Sequence, residues 1–197
     1  MDIGQNKTFS ATSFGGSGSY KSYQWLVSGA AQSGQTASTF NFSLSSSGSY
    51  SVTVTVTDSL GATSVPSTAA TVTVNIAPTV SVSSGATTLD VGQVQTFSAT
   101  PSGGSGTVHY QWYLGGTTSV GNDSSTYSFS GPVGSYSVTC KVTDSASTPV
   151  TSPASNVVSV TVNSALVPPS VSASLGTVDQ GQTSSLTSTA VSTGTSP

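Results

Sequence analysis

Few side chains in this sequence could do chemistry, and they are scattered. In 197 residues there are one histidine, one cysteine and six acidic residues, all of them aspartate. His109 could serve as a general base or a metal ligand only with a partner to orient it or complete a coordination shell. No such partner stands at a matching spacing, and the residue is read as a lone solvent-facing histidine beside Tyr110-Gln111-Trp112. Cys140 could act as a nucleophile if cationic neighbours lowered its pKa and solvent reached it. Its place in the alternation Tyr136, Val138, Cys140, Val142 instead reads as a small buried hydrophobe.

The aspartates are Asp2, Asp58, Asp90, Asp123, Asp144 and Asp179. A pair of carboxylates could hydrolyse a glycosidic bond, but only when the two stand within one site, and repeat-equivalent aspartates here lie about a domain apart. Calcium takes six to eight oxygens, commonly from several carboxylates, and the sequence clusters none near a linker. Turn closure through the local backbone is therefore the expected role of these residues. Neither a cofactor nor a metal is expected, and the chain is read as non-catalytic.

Modification is the remaining chemistry. Asn6, Asn41 and Asn122 each begin an Asn-x-Ser/Thr triplet and are candidate N-glycosylation sites. Asn41 falls between Phe40 and Phe42, so strand parity points it to solvent. Abundant Ser and Thr would also accept O-linked glycans. Tyr113 alternates out of phase with Trp112 and is a candidate surface ring for stacking on carbohydrate.

Composition narrows the class further. Charged residues make up 5% of the chain and the formal net charge is −3, so no basic patch exists to follow a phosphate backbone, and nucleic acid is not an expected partner. No run of about 18 apolar residues suggests a membrane helix, and Met1-Asp2-Ile3-Gly4 lacks the basic and apolar regions of a secretion signal. A hydrophobic share of 34% with regularly spaced Val, Tyr, Phe and Trp predicts a folded chain despite the low charge.

The elements that would position these residues are strands in a repeat. Met1-Asp2-Ile3-Gly4-Gln5, Leu89-Asp90-Val91-Gly92-Gln93 and Val178-Asp179-Gln180-Gly181-Gln182 align, which sets a period of roughly 88 residues, the size of one sandwich domain. Tyr23-Gln24-Trp25 returns as Tyr110-Gln111-Trp112, and Gly48-Ser49-Tyr50-Ser51-Val52-Thr53 as Gly134-Ser135-Tyr136-Ser137-Val138-Thr139. Within these blocks apolar and hydroxyl residues alternate with period two, the signature of half-buried strands, and Gly-Ser clusters separate them. The predicted fold is all-β: tandem immunoglobulin-like antiparallel sandwiches over residues 1–76 and 77–166, with a partial third repeat over 167–197.

The segment Gly48 to Asp58, followed by Ser59-Leu60-Gly61, resembles the PKD and Ig-like tandem repeats of archaeal and bacterial cell-surface, S-layer and filament proteins. The resemblance implies core roles for Trp25 and Trp112, and a corner-forming role for Tyr50 and Tyr136. It also implies an extracellular, cell-surface location. The Asp-Gly-rich motif of many PKD repeats is replaced by Leu26-Val27-Ser28-Gly29 and Tyr113-Leu114-Gly115-Gly116, so the likeness is to the wider Ig-like group.

Against the second repeat, the first lacks an opening strand equivalent to Pro78–Ser84, while the third supplies one around Val171, Ala173 and Leu175. Two expectations follow. The sequence is an excerpt of a longer repeat protein, or the surplus strand of one copy fills the vacant edge of another, building a filament, stalk or layer by donor-strand complementation. The second would leave apolar side chains such as Phe9 and Val72 exposed in the first domain. Partners on these readings are other copies, neighbouring repeats or glycans; an adhesin or carbohydrate-binding accessory module of a larger secreted protein is the alternative function. With so few titratable groups, stability is expected to vary weakly with pH.

Overall fold

Alternating apolar and hydroxyl side chains can bury one face of a strand and solvate the other, and the computed structural model, which describes residues 1–84 and 87–190, is built from such strands. The first repeat holds β1 (Lys7–Ser10), β2 (Tyr20–Val27), β3 (Ala30–Ala31), β4 (Thr39–Phe42), β5 (Gly48–Asp58) and β6 (Ala70–Val74). The second holds β7 (Thr79–Ser84), β8 (Thr88–Asp90), β9 (Gln95–Ser102), β10 (Val108–Leu114), β11 (Thr118–Val120), β12 (Thr126–Phe129), β13 (Gly134–Asp144) and β14 (Val158–Asn163). A last pair, β15 (Val171–Ala173) and β16 (Leu186–Ser188), follows. The fold is all-β and its architecture is that of tandem Ig-like sandwiches. Among the described residues no helix is long and apolar enough to cross a membrane.

In the first repeat β3-β2-β5-β6 form one sheet and β1-β4 the other. The second repeat has β11-β10-β13-β14-β8 in one sheet and β12-β9-β7 in the other, so its opening segment contributes β7 to one sheet and then β8 to the opposite one. β8 runs parallel to β14, with Asn163 facing Asp90. A parallel bridge between Asp2 and Asn75 reproduces that pairing in the first repeat.

The chain divides into two compact units. The first comprises Met1–Val80 with two excursions, Pro101–His109 and Lys141–Pro153; the second comprises Ser81–Thr100, Tyr110–Cys140 and the described residues from Ala154. In the first unit Trp25, Val27, Phe40, Phe42, Val52, Val72 and Val74 form a buried cluster. The Trp25 and Phe40 rings stack at 5.5 Å, and Phe9 meets Phe42 edge-on at 6.0 Å. In the second, Phe97, Trp112, Val138, Cys140 and Val160 are all at most 1% exposed. Each such large apolar side chain contributes about 1.5–3 kcal/mol by leaving water.

The expected exposure of Phe9 and Val72 is not what the structure shows. Val72 is 4% exposed, and Phe9 is half-buried against the core. Val72 belongs to the buried cluster itself and Phe9 packs on the Trp25 and Phe42 rings; at the Asp2 bridge Ile3 donates its backbone N–H to the Asn75 carbonyl and Asn75 donates to that of Met1. That pairing lays Met1 and Ile3 against the cluster beside β6.

Candidate functional site

Five of the six aspartates fall into two structural kinds; the sixth, Asp123, accepts from Tyr110 N at 2.7 Å. In each Asp-x-Gly-Gln segment the glutamine closes the turn: Gln5 Oε1 accepts from Asp2 N at 2.8 Å, Gln93 Oε1 from Asp90 N at 2.8 Å, and Gln182 Oε1 from Asp179 N at 3.0 Å. For Asp2, whose carboxyl is turned to Ser105, this corrects the expectation that the aspartate closes its turn with its own carboxylate. At the ends of β5 and β13 the expected role does occur. Asp58 Oδ1 accepts from Leu60 N and Ala62 N, and Oδ2 accepts from Ser17 N at 3.0 Å. Asp144 Oδ1 accepts from Val150 N at 2.8 Å and Ala146 N at 3.4 Å, and Oδ2 from Ser105 N at 2.8 Å.

Freed from its turn, the Asp2 carboxyl is 1% exposed and lies beside Asp144, itself 2% exposed. Both belong to the first unit, together with Ser105. Asp2 Oδ1 accepts from Ser105 Oγ at 2.6 Å, and Ser105 Oγ in turn accepts from Asn75 Nδ2 at 2.9 Å. Asp2 Oδ2 is buried and receives no donor. An ionised oxygen so placed would be costly, whereas a protonated one becomes the donor of a carboxyl–carboxylate hydrogen bond.

Electrostatics point the same way. Burial first, and then the hydrogen bond and charge of Asp144, push Asp2 above the usual carboxylate range, against lesser pulls from the Ser105 hydroxyl and the Met1 amino group. For Asp144 burial acts upward too, but the bond from Asp2 and the amides of Val150, Ser105 and Ala146 outweigh it and hold the carboxyl at about 2. Two carboxyl groups therefore share one proton. The sequence expectation that no aspartates cluster near a linker is corrected here: residues 142 positions apart meet beside the Ile76-Ala77-Pro78 segment. Such a dyad is hydrolytic chemistry only when substrate and water reach it, and this one is sealed.

His109 is exposed and Tyr113 half-buried. Cys140 is 0% exposed, and burial pushes its thiol up to about 11. Among the described residues no group of three or more His, Cys or Asp side chains could hold a metal ion. Asn6, Asn41 and Asn122 are all exposed. Two of their triplets meet, because Thr8 pairs with Asn41 across β1 and β4 and its Oγ1 donates to Asn41 Oδ1 at 2.8 Å.

Trp25 and Trp112 occupy equivalent core positions, with Nε1 donating to Ala37 O and Ser124 O, both at 2.9 Å. Tyr50 and Tyr136 donate their hydroxyls four residues back, to Ser46 O at 3.1 Å and Pro132 O at 2.8 Å. In β15, Val171 pairs with Ser188 and Ala173 with Leu186; both residues, and Leu175 beyond them, are exposed.

No protein-family model matches the sequence, and no curated protein does. Among solved structures the chain is similar to the fibronectin(III)-like modules of Clostridium thermocellum CbhA, at 18% identity over 82% of this chain and 88% of that one, with a TM-score of 0.37. It is similar to the amphioxus IgVJ-C2 molecule at 14% identity over 82% and 98%, with a TM-score of 0.38. The three N-terminal domains of the bacteriophage RB49 highly immunogenic outer capsid protein match at 14% identity over 99% and 66%, with a TM-score of 0.45.

Proposed function

We propose that this chain is a non-catalytic structural module of the cell exterior whose tandem sandwiches join head to tail into a filament, stalk or layer. The observation that carries the reading is a mismatch between two equivalent sheets. In the second repeat β9 is flanked by β12 and β7, whereas in the first repeat β1 is paired with β4 alone among the described residues. An unpaired strand edge offers a row of backbone donors and acceptors to another chain.

β15 is the complementary feature. Its pattern, Ser170-Val171-Ser172-Ala173, repeats that of Thr79-Val80-Ser81-Val82 in β7, and its apolar side chains are uncovered, Val171 being 69% exposed. β15 of one copy would add to the open edge of β1 in the next, in the place that β7 takes beside β9. Donor and acceptor lie in different repeats, so the contact is heterologous and propagates. A surface rich in Ser and Thr and poor in charge, with the three Asn-x-Ser/Thr sites exposed, supports an extracellular, glycan-bearing surface.

Sedimentation velocity and electron microscopy test the reading. The full chain is expected to form linear assemblies, and a chain lacking residues 168–197 is expected to sediment as a monomer. Assemblies of unchanged length from the shortened chain would overturn it.

A further inference from the structure

The Asp2–Asp144 pair sits at a joint between stretches of chain that are far apart in sequence. On one side is the parallel bridge of Asp2 to Asn75, followed by the Ile76-Ala77-Pro78 segment that leads into β7. On the other is the turn Gly103-Gly104-Ser105-Gly106, tied to the end of β13 because Ser105 N donates to Asp144. All of these residues belong to the first unit. Part of the joint is indifferent to pH: Gly104 N donates to Ile76 O at 2.7 Å, Pro78 is among the fully buried side chains, and a Cβ on Gly103 would stand 2.6 Å from Ala77 O.

The rest is a chain of polar groups whose donors all run one way. Asn75 Nδ2 donates to Ser105 Oγ, Ser105 Oγ donates to Asp2 Oδ1, and the shared proton joins Asp2 to Asp144. Nothing in the joint can replace that proton. The one hydroxyl hydrogen of Ser105 is committed to Oδ1, and Asp2 Oδ2 has no other donor. Once the proton leaves, two buried carboxylates face each other, and the side chain of Asp2 regains solvation only by moving out to water.

We propose that the carboxyl pair is a proton-operated latch on the segment joining the two repeats, closed while Asp2 and Asp144 share a proton and released by withdrawal of Asp2 from Ser105 when the proton is lost. The titratable groups acting on Asp2 are Asp144 and, weakly, the Met1 amino group; the one acting on Asp144 is Asp2. Burial first, and then Asp144, raise Asp2 in the closed form, so that form binds more protons than the open one. The opening constant is therefore expected to climb about tenfold per pH unit from the ordinary carboxylate range to the raised value of Asp2, and to level off beyond it. Asp144, held at about 2, stays ionised across that interval.

Amide hydrogen exchange of the full chain, followed by NMR from mild acid to neutrality and corrected for intrinsic rates, tests the latch at Gly104 N–H, whose acceptor is Ile76 O. Gly104 is expected to exchange through a local opening, faster than the β13 amides at each pH, with the rise just described. In Asp2→Asn, whose amide can donate to Asp144 at any pH, the rise is expected to vanish. The parent chain gives a second reading should that variant fail to fold: the Asp2 carboxyl carbon is expected to titrate above the ordinary carboxylate range, at the pH where Gly104 opening levels off. Gly104 exchanging only as fast as the β13 amides would show that the joint opens only with the whole fold. A local opening that is flat with pH, a rise that persists in Asp2→Asn, or an Asp2 carbon that titrates in the ordinary range would show that no proton holds the joint. Each of these results overturns the latch.

Discussion

Asp2 and Asp144 give the molecule a pH response that the low count of titratable groups does not suggest. A carboxyl whose pKa rises on folding, as that of Asp2 does through burial and then through Asp144, stabilises the folded chain fully below its unfolded value. That contribution is lost as pH climbs through the raised value. Asp144, held at about 2, and Asp58, drawn down chiefly by the N–H groups of Ala62 and Ser17, act in the opposite sense. Their contribution is complete above the ordinary carboxylate range and disappears as pH falls through their lowered values. Thermal melts are therefore expected to show a crest in mild acid, with a decline toward neutrality that belongs to Asp2. Asp2→Asn keeps the shape and removes the ionisation, so it is expected to flatten the neutral side alone; a slope equal to that of the parent chain would refute the shared proton. Cys140 gives a second residue-scale check. At 0% exposure and with its thiol pushed up to about 11, it is expected to react with a thiol reagent only after denaturation. Rapid labelling of the folded chain would refute its burial.

At the level of elements, the equivalent glycine turns of the two repeats, Gly15-Gly16-Ser17-Gly18 and Gly103-Gly104-Ser105-Gly106, provide an internal control. Gly15 has φ +84° and Gly103 φ +74°, so an added methyl strains both backbones alike. Only at Gly103 does it also meet backbone, at Ala77 O. Gly103→Ala is therefore expected to lower the denaturation midpoint more than Gly15→Ala, and equal losses would show that Ile76 and Ala77 are not packed there. Core strands respond to truncation in the usual way: Trp112→Ala is expected to cost about 3–5 kcal/mol in chemical denaturation. The strands themselves were legible in the sequence. Alternation from Gly48 to Asp58 reads directly as β5, and the repeated Tyr-Gln-Trp blocks as β2 and β10, because period two is a local property. The switch of the second repeat's opening segment from β7 to β8 was not legible, since nothing local says which sheet a short strand joins. The carboxyl pair was hidden for a related reason. Gln5 rather than Asp2 closes the first turn, and the aspartate so released meets a residue far away in the sequence.

For the whole molecule, sparse charge leaves association to backbone pairing and apolar contact, with little electrostatic repulsion between copies. The described structure concentrates these capacities in two places: the open edge of β1 and the β15–β16 hairpin. An isolated two-stranded hairpin is marginally stable in water, and this one has no covered face, with Val171 69% and Leu186 72% exposed. β13 is its opposite, paired on both sides and carrying Val138, Cys140 and Val142 at 0% exposure. Hydrogen exchange on the dilute chain is therefore expected to find β13 amides protected up to the limit of global opening, and those of β15 and β16 exchanging orders of magnitude faster. On assembly, strand addition pairs β15 with β1 of the next copy and covers its apolar face. Protection of β15 amides is then expected to rise with concentration while that of β13 stays constant. If β15 is already as protected as β13 in the dilute chain, its backbone and apolar face are satisfied within the monomer, and the driving force for joining copies through it is gone.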